Sequence, residues 1–413
     1  MSGVPSNSQL LSFSEARRVV QQQAVKLSPT EPEFIGLLDA TGLALAEDLH
    51  ADRDFPPFPR STRDGYAVRA ADVQIVPVAL QCVGTIKAGS DPRAAKLAPG
   101  QAVEIMTGAA VPVGTDAVVM VEYTESSGDR VTVKRAVKAG ENVVPAGAEA
   151  RRGDVMVPKG TRLQYTTVAV AAAIGRPEVA VHRRPRVAVL ATGDELVDIN
   201  LPPGPNEIRN SNSYSLAAQV SEAGGDATIL PTARDEADDL ALLLGKGLQS
   251  DLLLLTGGVS MGKYDLVEEV LASLGAEFFF TGAAIQPGKP VVFGQIQHEG
   301  RTTPFFGLPG NPVSTMVTFQ LFVRPVLDAL GGAKPEPLPF AHATLKAPIT
   351  TKTGLTRFLP AKLGGTHEKP DVERVRWQGS GDLMAASQAN CYIVVPPDRE
   401  KFEAGEAVTV LLS

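Results

Sequence analysis

The segment Leu252–Asp265, LLLLTGGVSMGKYD, runs from an apolar stretch straight into glycines flanked by a serine, a lysine and an aspartate. Three chemistries use such residues at such spacing. Gly257, Gly262 and Lys263 satisfy GxxxxGK, a phosphate-binding loop, but Tyr264 stands where that loop needs a serine or threonine for Mg2+. Gly258, Ser260 and Gly262 satisfy GxSxG, a nucleophile elbow between a strand and a helix. Against that reading, Gly262-Lys263-Tyr264-Asp265 delays the helix, and His298, His342 and His367 lie in polar segments without an aspartate partner in order. The third is an anion cradle: Gly257, Gly258 and Gly262 admit backbone N–H groups to a phosphate or oxyanion, Ser260 donates, and Asp265 holds a metal ion or caps a helix. A glycine turn without a ligand stays open for this segment alone.

Other segments repeat the theme. Thr192-Gly193-Asp194-Glu195 follows an apolar run and carries two carboxylates that suit Mg2+ with phosphates, or else cap a helix. Asn210-Ser211-Asn212 is a polar, donor-rich helix start, and Arg234-Asp235 follows the strand-like ATILPT. Gln286-Pro287-Gly288-Lys289-Pro290 and Gly307-Leu308-Pro309-Gly310-Asn311-Pro312-Val313-Ser314 add two Gly/Pro turns. One such turn means little, but several on one rim indicate a site for a large anionic ligand. The N-terminal half contributes Arg60–Ala67 and Ile105–Gly108, where Asp64-Gly65 reads equally as a plain turn.

These groups need elements to hold them. PRVAVLATG, DATILPT, DLLLLTGG and PVVFGQI read as strands, alternating with helices over Ser213–Ala223, Glu236–Leu248 and Leu266–Leu274. Asn311-Pro312 is expected to cap a long helix to Leu330, Asn accepting free N–H groups. Strands alternating with helices imply a doubly wound, mostly parallel sheet over residues 184–333, with its ligand at the strands' carboxyl ends. Residues 51–149 read as a β-rich domain inserted into a helical or mixed stalk of residues 1–50 and 150–183. In that stalk a helix near Tyr165–Ile174 would pack on an N-terminal one. Residues 334–413 read as a small C-terminal β domain. The fold class is thus α/β plus β, in an elongated multidomain chain.

Composition excludes several classes. With 39 Lys and Arg against 46 Asp and Glu, the net charge of -7 offers no field for nucleic acid or an anionic membrane. The two cysteines show no metal or disulfide spacing, and the pattern fits a reducing, cytoplasmic setting. No stretch approaches the roughly 18 apolar residues of a membrane span. There are 39 glycines and 32 prolines, so turns abound, while 44% hydrophobic content argues for packed cores.

DGYAVRA, EIMTGAAVP, TDAVVMVE, RRGDVMVPKGTRL, VAVLATGDEL, LLLTGGVSMGKYD, QPGKPVVFG, GLPGNPVS and QGSGDLMAAS, in this order, resemble the molybdopterin molybdenumtransferases, molybdenum cofactor biosynthesis enzymes related to the gephyrin E domain. The resemblance covers almost the whole chain. It implies an enzyme that takes adenylylated molybdopterin and molybdate, inserts the metal between the dithiolene sulfurs and releases AMP with the help of a divalent cation, Mg2+. It also implies a homodimer whose active site joins the α/β domain of one subunit to the β-rich insertion of the other. Two other functions stay open: the adenylyltransferase of the preceding step, which has a similar α/β domain, and a non-catalytic scaffold. The adenylyltransferase is also a possible partner.

By the same resemblance Asp64, Thr107 and Glu149 belong to the insertion's side of the site, Glu149 standing where aspartate is expected. Glu195, Asp235 and Asp265 take acidic roles around Mg2+ and molybdate, and Lys289 meets an anion. Substrate contacts fall to Thr192, Gly193, Gly257, Gly258, Ser260, Gly262, Gly288, Pro309, Gly310, Asn311 and Ser314, with Arg357 and Ser380 from the C-terminal domain. Gly282 and Gln286 depart from the family's usual basic residues, which puts weight on Lys289 and Arg234 and makes Arg63 a candidate source of charge. No cysteine lies in these motifs, so thiol chemistry on the dithiolene is not expected.

Overall fold

The structure is a computed structural model and describes residues 10–91, 96–258 and 266–413. The chain divides into two units. One comprises Met1–Ala46, Gly160–Gln164 and Val179–Ser413, the other Glu47–Lys159 and Tyr165–Glu178.

The first unit is organised by a six-stranded sheet. Its strands are β1 (Arg186–Ala191), β2 (Asp226–Ile229), β3 (Leu252–Thr256), β4 (Glu277–Phe280), β5 (Val292–His298) and β6 (Arg301–Leu308). Their spatial order is β2-β1-β3-β6-β5-β4. β2, β1, β3 and β6 run parallel, whereas β5 pairs antiparallel with both β6 and β4. The strands at the sheet's centre are apolar throughout because both faces are covered. Val187, Val189, Leu252, Leu254, Phe306 and Leu308 pack on one face with Leu216 and Val220 of α1 (Ser211–Glu222). Ala188, Leu190, Leu253, Leu255 and Phe305 point the other way, onto Leu240, Leu243 and Leu244 of α2 (Ala237–Gly247) and Val267 and Leu271 of α3 (Leu266–Ser273). This is the doubly wound arrangement. Its register sets the site: Ala191 lies opposite Thr256, and Thr256 opposite Leu308. Thr192, Gly257 and Pro309 therefore leave the sheet side by side.

β4 and β6 are absent from the sequence expectation. β5 and β6 form a hairpin closed by Glu299 and Gly300, both at positive φ (49° and 77°), which reverses β5 within the parallel sheet. Gly307 and Leu308, read as part of a turn, are the last residues of β6.

The chain then enters α4 (Pro312–Thr318), passes through a π-turn at Phe319–Val323 and continues as α5 (Arg324–Leu330). The cause is Pro325: it has no N–H for the carbonyl four residues back, Leu321. The buried Arg17 guanidinium donates to that carbonyl. Arg17 belongs to the N-terminal helix Phe13–Ala24, which opens with a Ser12–Glu15 capping box and packs Ala16, Val20 and Ala24 into the same core. Arg17→Met keeps the stem but strands the carbonyl, so unfolding in urea should reveal a loss of roughly 1–3 kcal/mol. The stretch Pro312–Leu330, the long helix expected from sequence, is among the described residues the one helix long and apolar enough to cross a membrane, although no apolar stretch of that length was expected. Two thirds of it is buried in the unit, as in a core helix.

The C-terminal β domain closes into a barrel. Thr356–Gly365, Pro370–Arg374, Phe340–Leu345, Ala407–Leu412 and Cys391–Val395 pair in that order, and the last returns to the first. The buried Cys391 is part of its core, and burial pushes that thiol's pKa up.

The second unit is built on another six-stranded sheet, ordered Ala117–Met120, Gly65–Val68, Gln101–Ile105, Val78–Ile86, Arg130–Val133 and Thr124–Ser127. One pairing, Val78–Ile86 with Gln101–Ile105, is parallel and the others are antiparallel. The helix Tyr165–Ala173, expected to pack on the N-terminal helix, belongs to this unit and lies against Val155–Val157. Its apolar residues surround it instead of forming one stripe, so periodicity gave no direction for its packing.

Candidate ligand cleft of the α/β domain

The first unit carries a cleft of about 930 Å³ at the carboxyl ends of β1, β3 and β6. That is near the upper end of small-molecule sites, roughly 300–1,000 Å³, and accommodates a large ligand. It is lined by residues from each rim segment: Thr192, Gly193 and Glu195 after β1, Asn210–Asn212 at α1, Asp235 beyond β2, and Gly257 and Gly258 after β3. Pro309–Pro312 after β6 and Pro290 complete that rim, and Gly381 and Leu383 of the C-terminal part form a further wall.

Local contacts fix the acids. The Thr192 hydroxyl donates to Asp235 Oδ1 at 2.8 Å, and the Asp235 N–H donates to Asp194 Oδ1 at 3.2 Å. One Asp235 oxygen is thus committed and the other is left for a ligand. The Glu195 carboxylate folds back over Gly193: a Cβ added there would sit 2.6 Å from Glu195 Oε2. Gly257 is required by close approach, since a Cβ would lie 2.3 Å from the Thr192 carbonyl. The same holds at Gly288, whose Cβ would meet Thr318 Cγ2 at 2.4 Å.

Asn311 takes the N-cap position of α4, but its side chain makes no capping bond, contrary to expectation. Pro312 has no N–H, and the Val313 N–H is taken by the carbonyl of Ser380, distant in sequence, at 2.9 Å. Ser380 thus closes the helix start with its backbone. Ser314 is buried, its carbonyl accepting from the Thr318 hydroxyl. Neither Ser314 nor Ser380 lines the cleft, and neither do Gly288, Lys289 or Arg357. The Lys289 side chain is half-buried and makes no hydrogen bond or ion pair to a described residue. Arg357 is buried, donates to the Leu355 carbonyl at 3.2 Å and has its pKa lowered by that burial. Ser260, Gly262 and Asp265 lie outside the described residues.

In the other unit Asp64 Oδ1 accepts from the Thr107 N–H at 2.6 Å and from its hydroxyl at 2.8 Å. These bonds hold the Asp64 carboxyl below the usual carboxylate range, the backbone one contributing most. Glu149 is paired instead with Arg60 at 2.7 Å.

Among the described residues no group of three or more His, Cys, Asp or Glu is placed to hold a metal ion. Mg2+ needs less when substrate phosphates and water complete its shell, commonly one or two carboxylates. Glu195 and Asp235, both in the cleft, match that requirement. Asn212 and Thr256 also line it, along with Ile208 and Leu383, and none was singled out as a site residue from sequence. The signal for Asn212 was the polar helix start Asn210-Ser211-Asn212, where only Asn210 caps, accepting from Ser213 N.

Glycine turns and a helix start at the ends of parallel strands, with two carboxylates in one large cleft, define a doubly wound α/β protein whose cleft has the size and the N–H groups to suit a large anionic ligand. Comparison with known proteins narrows this class. Residues 11–175 match the MoeA N-terminal region (domain I and II), residues 188–329 a probable molybdopterin binding domain, and residues 342–413 the MoeA C-terminal region (domain IV). A molybdopterin molybdenumtransferase of Nostoc sp. is 36% identical over 407 residues, covering 93% of this chain and 89% of that one. That of Bacillus subtilis is 35% identical over 392 residues, covering 92% and 90%. A crystal structure of a molybdopterin biosynthesis MoeA protein from Pyrococcus horikoshii OT3 superposes with a TM-score of 0.78 at 28% identity, covering 98% of this chain and all of that one. The chain belongs to the molybdopterin molybdenumtransferase family, transferases of molybdenum cofactor biosynthesis.

Proposed function

We propose that this protein inserts molybdate into adenylylated molybdopterin, with release of AMP, to give the molybdenum cofactor. The observation that carries the reading is the cleft, where Glu195 and Asp235 share one space with the turn Gly257-Gly258 and the start of α1. Backbone N–H groups at such turns and helix starts receive phosphate, and the fixed carboxylates demand a cation between themselves and an anionic ligand. Mg2+ would be held by Glu195 and Asp235 together with Asp265, and would polarise the P–O bond whose cleavage frees AMP.

The chain's own residues position the substrate. Thr192 and the Asp194 carboxylate hold Asp235 at the cleft wall, so its charge does not have to be ordered when the ligand arrives. Lys289 is the cation for molybdate: it has no partner among the described residues and precedes Pro290 of the cleft rim, whereas Arg357 is buried outside that rim. Asp64 and Thr107 act from the partner subunit of a homodimer, the two hydrogen bonds donated by Thr107 orienting the Asp64 carboxylate and lowering its pKa. The protein works in the cytoplasm and receives its substrate from the adenylyltransferase of the preceding step.

Metal removal tests this reading. EDTA should abolish AMP release from adenylylated molybdopterin, and excess Mg2+ should restore it. Release that is indifferent to EDTA would remove the role given to Glu195 and Asp235.

A further inference from the structure

Asn212, the second residue of α1, lines the cleft. Its Nδ2 donates to the Gly310 carbonyl at 2.7 Å and to the Thr256 hydroxyl at 3.0 Å. The Thr256 hydroxyl reaches the Pro309 carbonyl at 3.4 Å, and its single hydrogen is directed there, leaving it an acceptor toward Asn212. A carbonyl can only accept, so turning the amide over would set Asn212 Oδ1 against Gly310 oxygen. The orientation is therefore fixed. Both amide hydrogens are used to tie α1, the end of β3 and the segment after β6 together. What remains is Oδ1, an acceptor with no donor among the described residues, on a half-buried side chain in the cleft wall.

A fixed acceptor is out of place in a site for phosphates alone, because it repels their oxygens. It suits a neutral, donor-bearing part of the same ligand. The wall it shares includes Ile208 and Leu383, 57% and 37% exposed, apolar surface that fits a flat ring better than a charged group. We infer that Asn212 is a specificity-determining residue whose Oδ1 accepts a hydrogen bond from an N–H on the fused heterocycle of the ligand. This rests on the function proposed above, which supplies two such rings, adenine and pterin.

Titration calorimetry on the full chain distinguishes them, with AMP, inosine monophosphate, neopterin and inorganic phosphate as probes. Asn212→Ala should weaken one heterocyclic probe about five- to tenfold, the worth of one neutral hydrogen bond, and leave phosphate within about twofold. If adenine is read, AMP falls to the level of inosine monophosphate, which lacks the exocyclic amine. If pterin is read, neopterin falls and AMP holds. Asn212→Leu, of similar size and without an acceptor, serves if the alanine variant does not fold, with the same loss expected. Unchanged AMP and neopterin binding overturns the inference, as does an equal loss for phosphate, which would mean a collapsed rim. Wild-type protein that releases AMP while Asn212→Ala binds every probe normally leaves the function standing and this inference refuted. Wild-type protein that neither binds nor releases AMP refutes the function itself.

Discussion

Replacing Asp235 by asparagine is expected to cut AMP release by about 10²–10³-fold, the usual effect of removing one preorganised polar group from a reacting centre. The substitution changes little else. Asparagine Oδ1 can still accept from the Thr192 hydroxyl, and the backbone N–H that reaches Asp194 is untouched. The melting temperature should therefore stay within a degree or two of wild type while turnover collapses. Glu195→Gln should behave alike, and the double variant should lose less than the product of the two effects, because both carboxylates serve one cation. Steady-state rates across a Mg2+ titration would check this. A variant within threefold of wild type at every Mg2+ concentration would show that Asp235 does not face the reaction.

The second large effect is on stability. In Gly257→Ala the new Cβ would lie 2.3 Å from the Thr192 carbonyl, a backbone atom of the neighbouring strand end that cannot swing aside. Gly257 also sits at φ of 88°, where an L side chain is strained. Left-handed strain costs about 1–2 kcal/mol and overpacking about 1–3 kcal/mol, so a combined loss of roughly 2–5 kcal/mol is expected. Relief requires β1 and β3 to part at the rim, which would displace Thr192 from Asp235 and weaken ligand binding as well. Gly245→Ala is the control: it lies in α2, and its Cβ would meet nothing within 4 Å. That change should stabilise by roughly 0.5–1 kcal/mol. Urea unfolding of the two variants should move in opposite directions; a shift of the same sign would undercut the steric account of the turn.

Legibility differed by element for physical reasons. β1 and β3 were readable because a strand buried on both faces is apolar without a break, and VAVL and LLLL leave no other assignment at that length. β6 was not, since RTTPFFGL begins polar and contains Pro304, and the Glu-Gly turn that joins it to the antiparallel β5 is one that sequence marks weakly. Closure of the C-terminal barrel depends on Cys391–Val395 pairing with Thr356–Gly365, a long-range match invisible to local pattern. At the site, acids and glycines at strand ends could be found because topology makes strand ends a binding rim. Asn212 was not legible, because its meaning comes from where its two amide hydrogens go in the folded chain. Asn311 shows the converse, a cap signal cancelled by a carbonyl from Ser380 far along the chain.

The central claim is molybdenum transfer in the cleft bearing Glu195 and Asp235. Incubating the purified protein with adenylylated molybdopterin and Mg2+, with and without molybdate, tests it most directly. AMP should appear only with molybdate, matched by molybdenum in the pterin product. AMP release that is the same with and without molybdate, or a pterin product that carries no molybdenum, would contradict the account.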